Sequence, residues 1–255
     1  MAARPADAER LFTLGLAQSE QDVEAAMRTL RQVIARKPDH ALAHYNLALL
    51  LKRVDRIDEA IAAGRRAAAI DGHPEAHLAL GSLYVQLADF PQAAASLEAA
   101  IASDRRSVDA WILLGAVQKA RGDLPRAADA LRRAIALRPE SWTAHAALAT
   151  VLKLAGDDDG SRRASAEAER RRTDDQRERT AVVMTAVGVS RLDAGDVERA
   201  RERFESAIGV ATTYAPAYYH LGRALHRLGR IDDARGAFAR AQQLNPSLVS
   251  PLDNR

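Results

Sequence analysis

Apolar residues recur every three or four positions along almost the whole chain, which is the spacing of one face of an α-helix. Near residue 50, Leu47 and Leu51 share such a face, and after a polar break Ile57 and Ile61 share another. The pattern therefore predicts a series of short helices joined by tight turns, without β-strands. The turn signals between helices are Gly122-Asp123, Gly156-Asp157, Gly195-Asp196 and Gly229-Arg230.

Several residues beside these turns suit the first turn of a helix. Asp123 and Asp196 are predicted to cap the helix that follows, because a carboxylate accepts the N–H groups that a helix start leaves unpaired. Pro91 and Pro125 fit the first helical turn, where a missing N–H costs nothing. The helix starts are thus encoded locally.

The helices repeat with a long period. A small residue that follows Leu or Val recurs at intervals of 33, 33, 34, 34, 39 and 34 residues. An alanine or serine stands twelve residues after six of these positions, and an alanine stands eleven residues after the first. A fixed period of this length is typical of a repeat protein. The small residues are Gly15, Ala48, Gly81, Gly115, Ala149, Gly188 and Gly222.

This pattern resembles the tetratricopeptide repeat, whose motif places W-x2-L-G-x2-Y, A-x3-F and P within about 34 residues. Residues 215–248 match it best, with Tyr218, Leu221, Gly222, Leu225, Ala234, Phe238, Ala241 and Pro246. The resemblance implies paired antiparallel helices stacked into one all-α solenoid, a right-handed superhelix, over residues 1–255. The predicted units are 7–40, 41–73, 74–107, 108–141, 142–180, 181–214 and 215–248, followed by a tail at 249–255.

The fifth unit departs from the pattern because it holds five extra residues. Its second helix, over residues 161–179, is polar on nearly all sides beyond Ala168 and contains Arg170–Arg172. One interpretation is a joint that alters the curvature of the solenoid and offers a charged ridge to a partner. The other is a solvated extension of the helix, supported by ion pairs one helical turn apart.

The C-terminus is the second departure. Only nine residues follow Pro246, which is too short for the polar capping helix that a solenoid needs. Two hypotheses follow: the last repeat exposes an apolar edge for self-association, or the chain is a segment of something longer.

Charge and composition exclude some classes of protein. The 37 basic and 34 acidic residues nearly cancel, and no segment concentrates positive charge, so nucleic-acid binding is not favoured. The absence of cysteine excludes disulfides and thiolate chemistry. No apolar run is long enough to span a bilayer and the first residues lack a secretory signal pattern, so a cytoplasmic location is expected.

Signatures of catalysis are missing, and we predict no enzyme activity, no cofactor and no metal site. The chain has no phosphate-binding glycine loop, zinc-protease pair or nucleophile elbow. His44, His77 and His145 occupy the repeat position usually held by Trp, which indicates core packing. His40 and His44 have a ligand-like spacing but lack a third ligand. The acidic run starting at Asp157 is interpreted as a helix cap.

The resemblance implies a concave groove, lined by the first helix of each repeat through motif positions 2, 5, 6, 9, 12 and 13. Position 12 is Lys52, Lys119, Lys153 or His226 in four repeats, and these include three of the four lysines in the chain. Leu42 and Leu113 are added to the apolar floor. The candidate groove residues are Tyr45, Asn46, Leu49, Lys52, Arg53, Ile112, Lys119, Lys153, Tyr219, His220, Arg223, His226 and Arg227.

Two interpretations of the lysines remain open. They favour a protein or peptide partner with acidic and apolar side chains, or they stabilise the helix dipole from its C-terminal end. The first predicts a non-enzymatic adaptor that binds a protein segment in the groove. The alternatives are a self-assembling scaffold, which would form homo-oligomers, and a repeat module of a larger enzyme or regulator.

Overall fold

The computed structural model describes residues 5–71 and 74–252, and this part of the chain is entirely helical, with thirteen α-helices and no β-strand. The all-α prediction is confirmed. The helices are α1 (Pro5–Gln18), α2 (Val23–Arg36), α3 (Ala41–Arg53), α4 (Ile57–Asp71), α5 (Pro74–Gln86), α6 (Phe90–Ser103), α7 (Val108–Ala120), α8 (Leu124–Leu137), α9 (Trp142–Leu154), α10 (Asp158–Asp193), α11 (Val197–Val210), α12 (Ala215–Arg227) and α13 (Ile231–Leu244).

Consecutive helices pack as pairs, and the pairs stack. The pairs α1 with α2, α3 with α4, α5 with α6, α7 with α8, and α12 with α13 are each in extensive contact. The first helices of neighbouring pairs also touch, since α3 contacts α5, α5 contacts α7 and α7 contacts α9. This nearest-neighbour stacking is the helical-repeat arrangement that the sequence period predicts.

Side-chain caps start many of the helices. The Asp123 carboxylate accepts the N–H of Arg126 at 3.1 Å, so its predicted capping role is confirmed. Asp157 likewise accepts the N–H of Gly160 at 2.8 Å. The prediction for Asp196 is wrong, because this carboxylate makes no cap hydrogen bond and instead lies 3.3 Å from the guanidinium of Arg191. The Asp196 carboxylate also lies 3.4 Å from the guanidinium of Arg199.

Close helix contacts depend on pairing a small residue with a large one sixteen positions later. Leu97 lies over Gly81, and Phe204 lies over Gly188, with the larger residue fully buried in each pair. The same geometry joins Gly115 to Leu131 and Gly222 to Phe238. The periodic small residues in the sequence are therefore the points at which a neighbouring side chain meets the helix backbone.

The fifth predicted unit differs most from a regular repeat. Its second helix and the first helix of the sixth predicted unit form one continuous helix, α10, of 36 residues. The boundary predicted at 180/181 therefore falls inside a helix, while the division of the chain into seven units stays a prediction. The chain forms two compact units, the first ending at Ala168 and the second beginning at Glu169, so that each takes part of α10.

The first unit ends on a polar helical face. Ser161 is buried in α10 and donates its hydroxyl to the carbonyl of Ala149 at 2.9 Å, and Ala164 packs into the core beside it. Ser165 is exposed, although the equivalent residues Leu97 and Leu131 of earlier repeats are fully buried.

The segment after α13 packs back onto the second unit. Leu252 contacts the cluster that contains Leu225, Ala237 and Phe238, and Ser250 is buried. This tail covers part of the edge that one of the two hypotheses for the C-terminus expects to be apolar and open. Self-association through that edge stays a prediction.

Candidate functional site

A cavity of about 260 Å³ opens between the first helices of three successive repeats in the first unit. Its lining comes from α3, α5 and α7, and it is mostly apolar. Leu49, Leu78 and Leu113 line it, one from each of the three helices. The other lining residues are Tyr45, Ala48, Lys52, Glu75, Ala79, Ser82 and Leu83.

Lys52 places a positive charge at the rim of this cavity. Its ammonium group donates a hydrogen bond to the hydroxyl of Ser82 at 2.8 Å, and this bond joins α3 to α5. An ammonium group has three N–H donors, so the bond to Ser82 uses one of them. Ser82 thus holds the cation over the gap between two repeats instead of along its own helix.

Tyr45 and Glu75 bring a phenol and a carboxylate to the same cavity. Burial, and then the nearby negative charge of Glu75, raise the pKa of the Tyr45 hydroxyl above its usual value. The phenol is therefore protonated at neutral pH. The cavity therefore combines an apolar lining with one cation, one anion and one phenol.

In four repeats a side chain of the first helix contacts the backbone just before that helix. Each occupies the fourth position of its repeat and lies within hydrogen-bond distance of the carbonyl six residues earlier. The contacts are His44 Nε2 with Pro38 at 3.0 Å, Trp111 Nε1 with Arg105 at 3.1 Å, His145 Nε2 with Pro139 at 3.0 Å, and the Tyr218 hydroxyl with Thr212 at 3.1 Å. His44 and His145 therefore have a structural role, which agrees with their interpretation as packing residues.

His40 and His44, whose spacing resembles that of zinc ligands, both contact backbone groups. His40 accepts the N–H of Ala43 through Nδ1 at 3.2 Å, and the Nε2 of His44 lies against Pro38. Within residues 5–71 and 74–252, no three His, Asp or Glu side chains are grouped so that they could hold a metal ion. No helix in these ranges is both long and apolar enough to cross a membrane.

Comparison with known sequences gives the family. The tetratricopeptide repeat profile matches residues 16–74, 78–139, 117–177 and 186–248, which together cover most of the chain. The chain belongs to the tetratricopeptide repeat family. No curated protein sequence matches it significantly.

Solved tetratricopeptide structures share the fold at low sequence identity. A crystal structure of MamA is 21% identical and has a TM-score of 0.59, covering 62% of this chain and 94% of its own. MamA from Desulfovibrio magneticus RS-1 is 17% identical with a TM-score of 0.61, covering 67% and 97%. A tetratricopeptide repeat protein from Parabacteroides merdae is 16% identical with a TM-score of 0.58, covering 93% of each chain.

The three lysines at tetratricopeptide position 12 are in three different environments. Only Lys52 lines the cavity. Lys153 pairs with Asp158 at 2.7 Å in an exposed salt bridge across the turn after α9. Lys119 is half-buried in the last turn of α7. The shared motif position therefore does not give them a shared partner.

Two arginines at position 13 connect neighbouring repeats. Arg53 donates to the carbonyl of Ser19 at 2.8 Å, just beyond the end of α1. Arg227 donates to the carbonyl of Leu192 at 2.6 Å, at the end of α10. Each cation thus binds the carbonyl end of the preceding first helix, where the helix dipole also attracts it. Both residues were predicted as groove residues, and here they stabilise stacking.

The candidate residues of the second unit belong mainly to packing. His220 stacks on Phe204 at 5.6 Å between ring centroids, and Tyr219 meets Phe238 edge-on at 5.5 Å. Arg223 lies 3.3 Å from His220. Burial, and then Arg223, lower the pKa of His220, so this ring is neutral at pH 7. His226 is exposed in the last turn of α12.

The remaining candidate groove residues of the first unit make contacts within their own helix or with the core. Asn46 donates to the carbonyl of Leu42 at 2.8 Å within its own helix. Ile112 packs against two core clusters, and it is Leu113 that lines the cavity. The candidate list omitted Glu75, Leu78 and Ser82, which stand at positions 2, 5 and 9 of the third repeat. The inward-position rule of the family, applied to that repeat, would have found them.

Proposed function

We propose that the chain is a non-enzymatic protein–protein interaction module whose first unit binds a peptide segment of a partner along α3, α5 and α7. The observation that carries the proposal is the Lys52 ammonium, held by Ser82 at the rim of an apolar cavity of about 260 Å³. Membership of a family of helical repeats supports it, since stacked repeats form extended concave binding surfaces.

The cavity favours a particular partner chemistry. Leu49, Leu78 and Leu113 offer an apolar site that would take one large aliphatic or aromatic side chain. Lys52 would pair with a carboxylate close to that side chain, and the half-buried setting makes such a pair less screened than an open surface pair. We therefore propose a segment in which Asp or Glu lies next to a large apolar residue.

The helix-dipole interpretation of the lysines predicts a different outcome. A cation anywhere in the last helical turn would satisfy the dipole, with an effect of about 0.3–1 kcal/mol on stability and none on a partner. The bond from Lys52 to Ser82 of the next repeat favours the binding interpretation for this residue. Lys153, which is paired across an exposed turn, fits the dipole interpretation better.

Charge reversal at the cavity tests the proposal. We expect panning of a random peptide library on the full chain to enrich segments with an acidic residue beside a large apolar one. Lys52→Glu should then weaken binding of an enriched peptide at least about tenfold, because a repelling carboxylate replaces an attractive ammonium. Affinity is measured by fluorescence anisotropy at two salt concentrations.

Lys153→Glu is the matched control, because it reverses the same charge at the same motif position outside the cavity. We expect it to change affinity less than about twofold. Equal losses in the two variants would contradict the proposal, as would enriched peptides without an acidic residue. Ser82→Ala should give an intermediate loss, since it removes only the group that orients Lys52.

A further inference from the structure

One face of α10 is exposed where the other repeats bury the equivalent residues. At the third position of the first helix, five repeats have a fully buried alanine. In the second unit the equivalent residue is Val183, which is 63% exposed. At this position the second unit therefore has a larger, exposed apolar side chain in place of a buried alanine. The five alanines are Ala43, Ala76, Ala110, Ala144 and Ala217.

The seventh position shows the same contrast. Leu47, Leu80, Leu114 and Leu148 are buried, whereas the equivalent Val187 is 42% exposed. Val182 and Ala186 are exposed beside it. These four residues form a continuous apolar stripe on α10. We call Val182, Val183, Ala186 and Val187 the valine face.

Continuity of α10 sets this repeat apart from the others. In the other internal repeats one helix ends before the first helix begins, whereas here the preceding residues belong to α10 itself. The opposite side of α10 is occupied, because Phe204 of α11 packs over Gly188 and Leu192 joins the same cluster.

One pair of oppositely charged residues near the valine face is symmetric about Ala186. Arg179, which pairs with Asp175 of its own helix at 3.0 Å, lies seven residues before it, and Asp193 lies seven residues after it; both are exposed. Val182 and Ser190 lie four residues on either side. These spacings place all of them on one side of the helix. If two such helices run antiparallel with Ala186 at the crossing point, Arg179 of each copy faces Asp193 of the other.

We propose that the valine face binds a second copy of this chain, as an antiparallel pair of α10 helices related by a two-fold axis at Ala186. The small side chain at the crossing point lets the helices approach to the usual 8–10 Å. The valines bury one another, and two Arg179–Asp193 ion pairs fix the direction and register of the helices. An isologous pair needs only one surface, and this surface is self-complementary.

The size of the face sets the strength of the dimer. From Arg179 to Asp193 it is about 21 Å long, since an α-helix rises about 1.5 Å per residue. A surface of this length buries less than the roughly 800 Å² per partner of a standard interface. The dimer is therefore expected to be weak and to depend on concentration.

Sedimentation velocity of the full chain from about 5 to about 500 µM tests the proposal over this range. The wild type should shift from monomer to dimer. Val183→Asp should weaken the dimer at least about tenfold, because it buries a carboxylate between the valines. Leu154→Asp is the matched control, since Leu154 is 61% exposed, similar to Val183, but lies on α9. It should leave the dimerisation constant unchanged.

A charge swap then tests the two-fold pairing. Arg179→Glu and Asp193→Arg should each weaken the dimer about three- to tenfold, because every change removes two symmetric ion pairs. The double variant should dimerise more strongly than either single variant, because it restores both ion pairs between the copies. A chain that stays monomeric at every concentration overturns the proposal, and so do equal losses in V183D and L154D or a double variant without recovery. None of these variants touches the Lys52 cavity, so failure here is distinct from failure of the peptide proposal.

Discussion

At the residue scale, the fold depends on pairs of unequal size. In each regular pair a glycine allows a large side chain to reach the helix backbone, as Leu131 does at Gly115. Repeat two reverses the arrangement: Ala48 faces Gly64, and the space is filled by Leu80 of the next repeat. What is fixed is therefore the combined volume of the two side chains, and different residue pairs can provide it. The sequence motif describes only the commonest pair.

Gly115→Ala should destabilise the chain. An added Cβ would lie 2.6 Å from Cγ of the fully buried Leu131 and 3.3 Å from the carbonyl of Ala127. Overpacking costs about 1–3 kcal/mol. The better helix propensity of alanine returns about 1 kcal/mol. We expect a net loss of about 1 kcal/mol in the free energy of unfolding, measured by urea titration.

Gly209→Ala is the control for this prediction. Gly209 also lies in a helix, α11, but nothing stands within 4 Å of the Cβ that it would gain. Here only the propensity acts, so the free energy of unfolding should rise by up to about 1 kcal/mol. If both substitutions shift stability in the same direction, close approach at Gly115 does not control its packing.

At the element scale, arginines tie the end of one first helix to the next. Arg53 and Arg227 stand at the same motif position, and each donates to a carbonyl about one repeat earlier in the chain. Lys52, directly before Arg53, reaches forward to Ser82 of the following repeat. Adjacent positions of one helix therefore connect it to both of its neighbours.

Arg53→Ala should loosen the contact between α1 and α3. Loss of the bond to Ser19 leaves that carbonyl to water, and we expect a cost of about 1 kcal/mol. Hydrogen exchange should accelerate in α1 and in the turn that follows it. Arg36→Ala is the control, because the bond of Arg36 to the carbonyl of Gln32 lies within its own helix. Equal acceleration of α1 in both variants would assign the effect to lost charge.

At the scale of the whole molecule, the chain holds two compact units with separate cores. Leu97 and Leu131 are fully buried in the first, while Phe204 and Phe238 are buried in the second. The clusters around Leu97 and Leu131 consist of residues of the first unit, and those around Phe204 and Phe238 consist of residues of the second. In a repeat protein, stability passes between neighbours through shared apolar contacts, so separate cores predict separate unfolding.

Core truncations should therefore act on one unit at a time. Leu97→Ala should cost about 2–5 kcal/mol and expose peptides of the first unit at lower denaturant concentration, and Phe204→Ala should do the same in the second unit at a cost of about 3–5 kcal/mol. Hydrogen exchange with mass spectrometry resolves the two sets of peptides in the intact chain. A parallel loss of protection in both units would show that they unfold as one.

Much of the fold follows from local pattern. The apolar period and the Gly-Asp turns predict helices that the structure confirms, and the recurring small residues indicate repeats of the tetratricopeptide family. Part of the candidate site follows too, since Tyr45, Leu49 and Lys52 line one cavity. Arg53 and Arg227 could not be placed from the motif, because an arginine reaches a groove or a neighbouring carbonyl equally well from the same position.

Sequence was sufficient for helix type, period and family because these depend on residues close together in the chain: side-chain spacing, turn chemistry and the alternation of small and large residues. Tertiary structure alone decided that α10 is continuous, that Lys52 rather than Lys153 faces the cavity, and that Val183 is exposed. Each of these outcomes depends on which distant surfaces are available to cover a side chain. Such contacts form between elements that are far apart in the chain, so a short stretch of sequence cannot predict them.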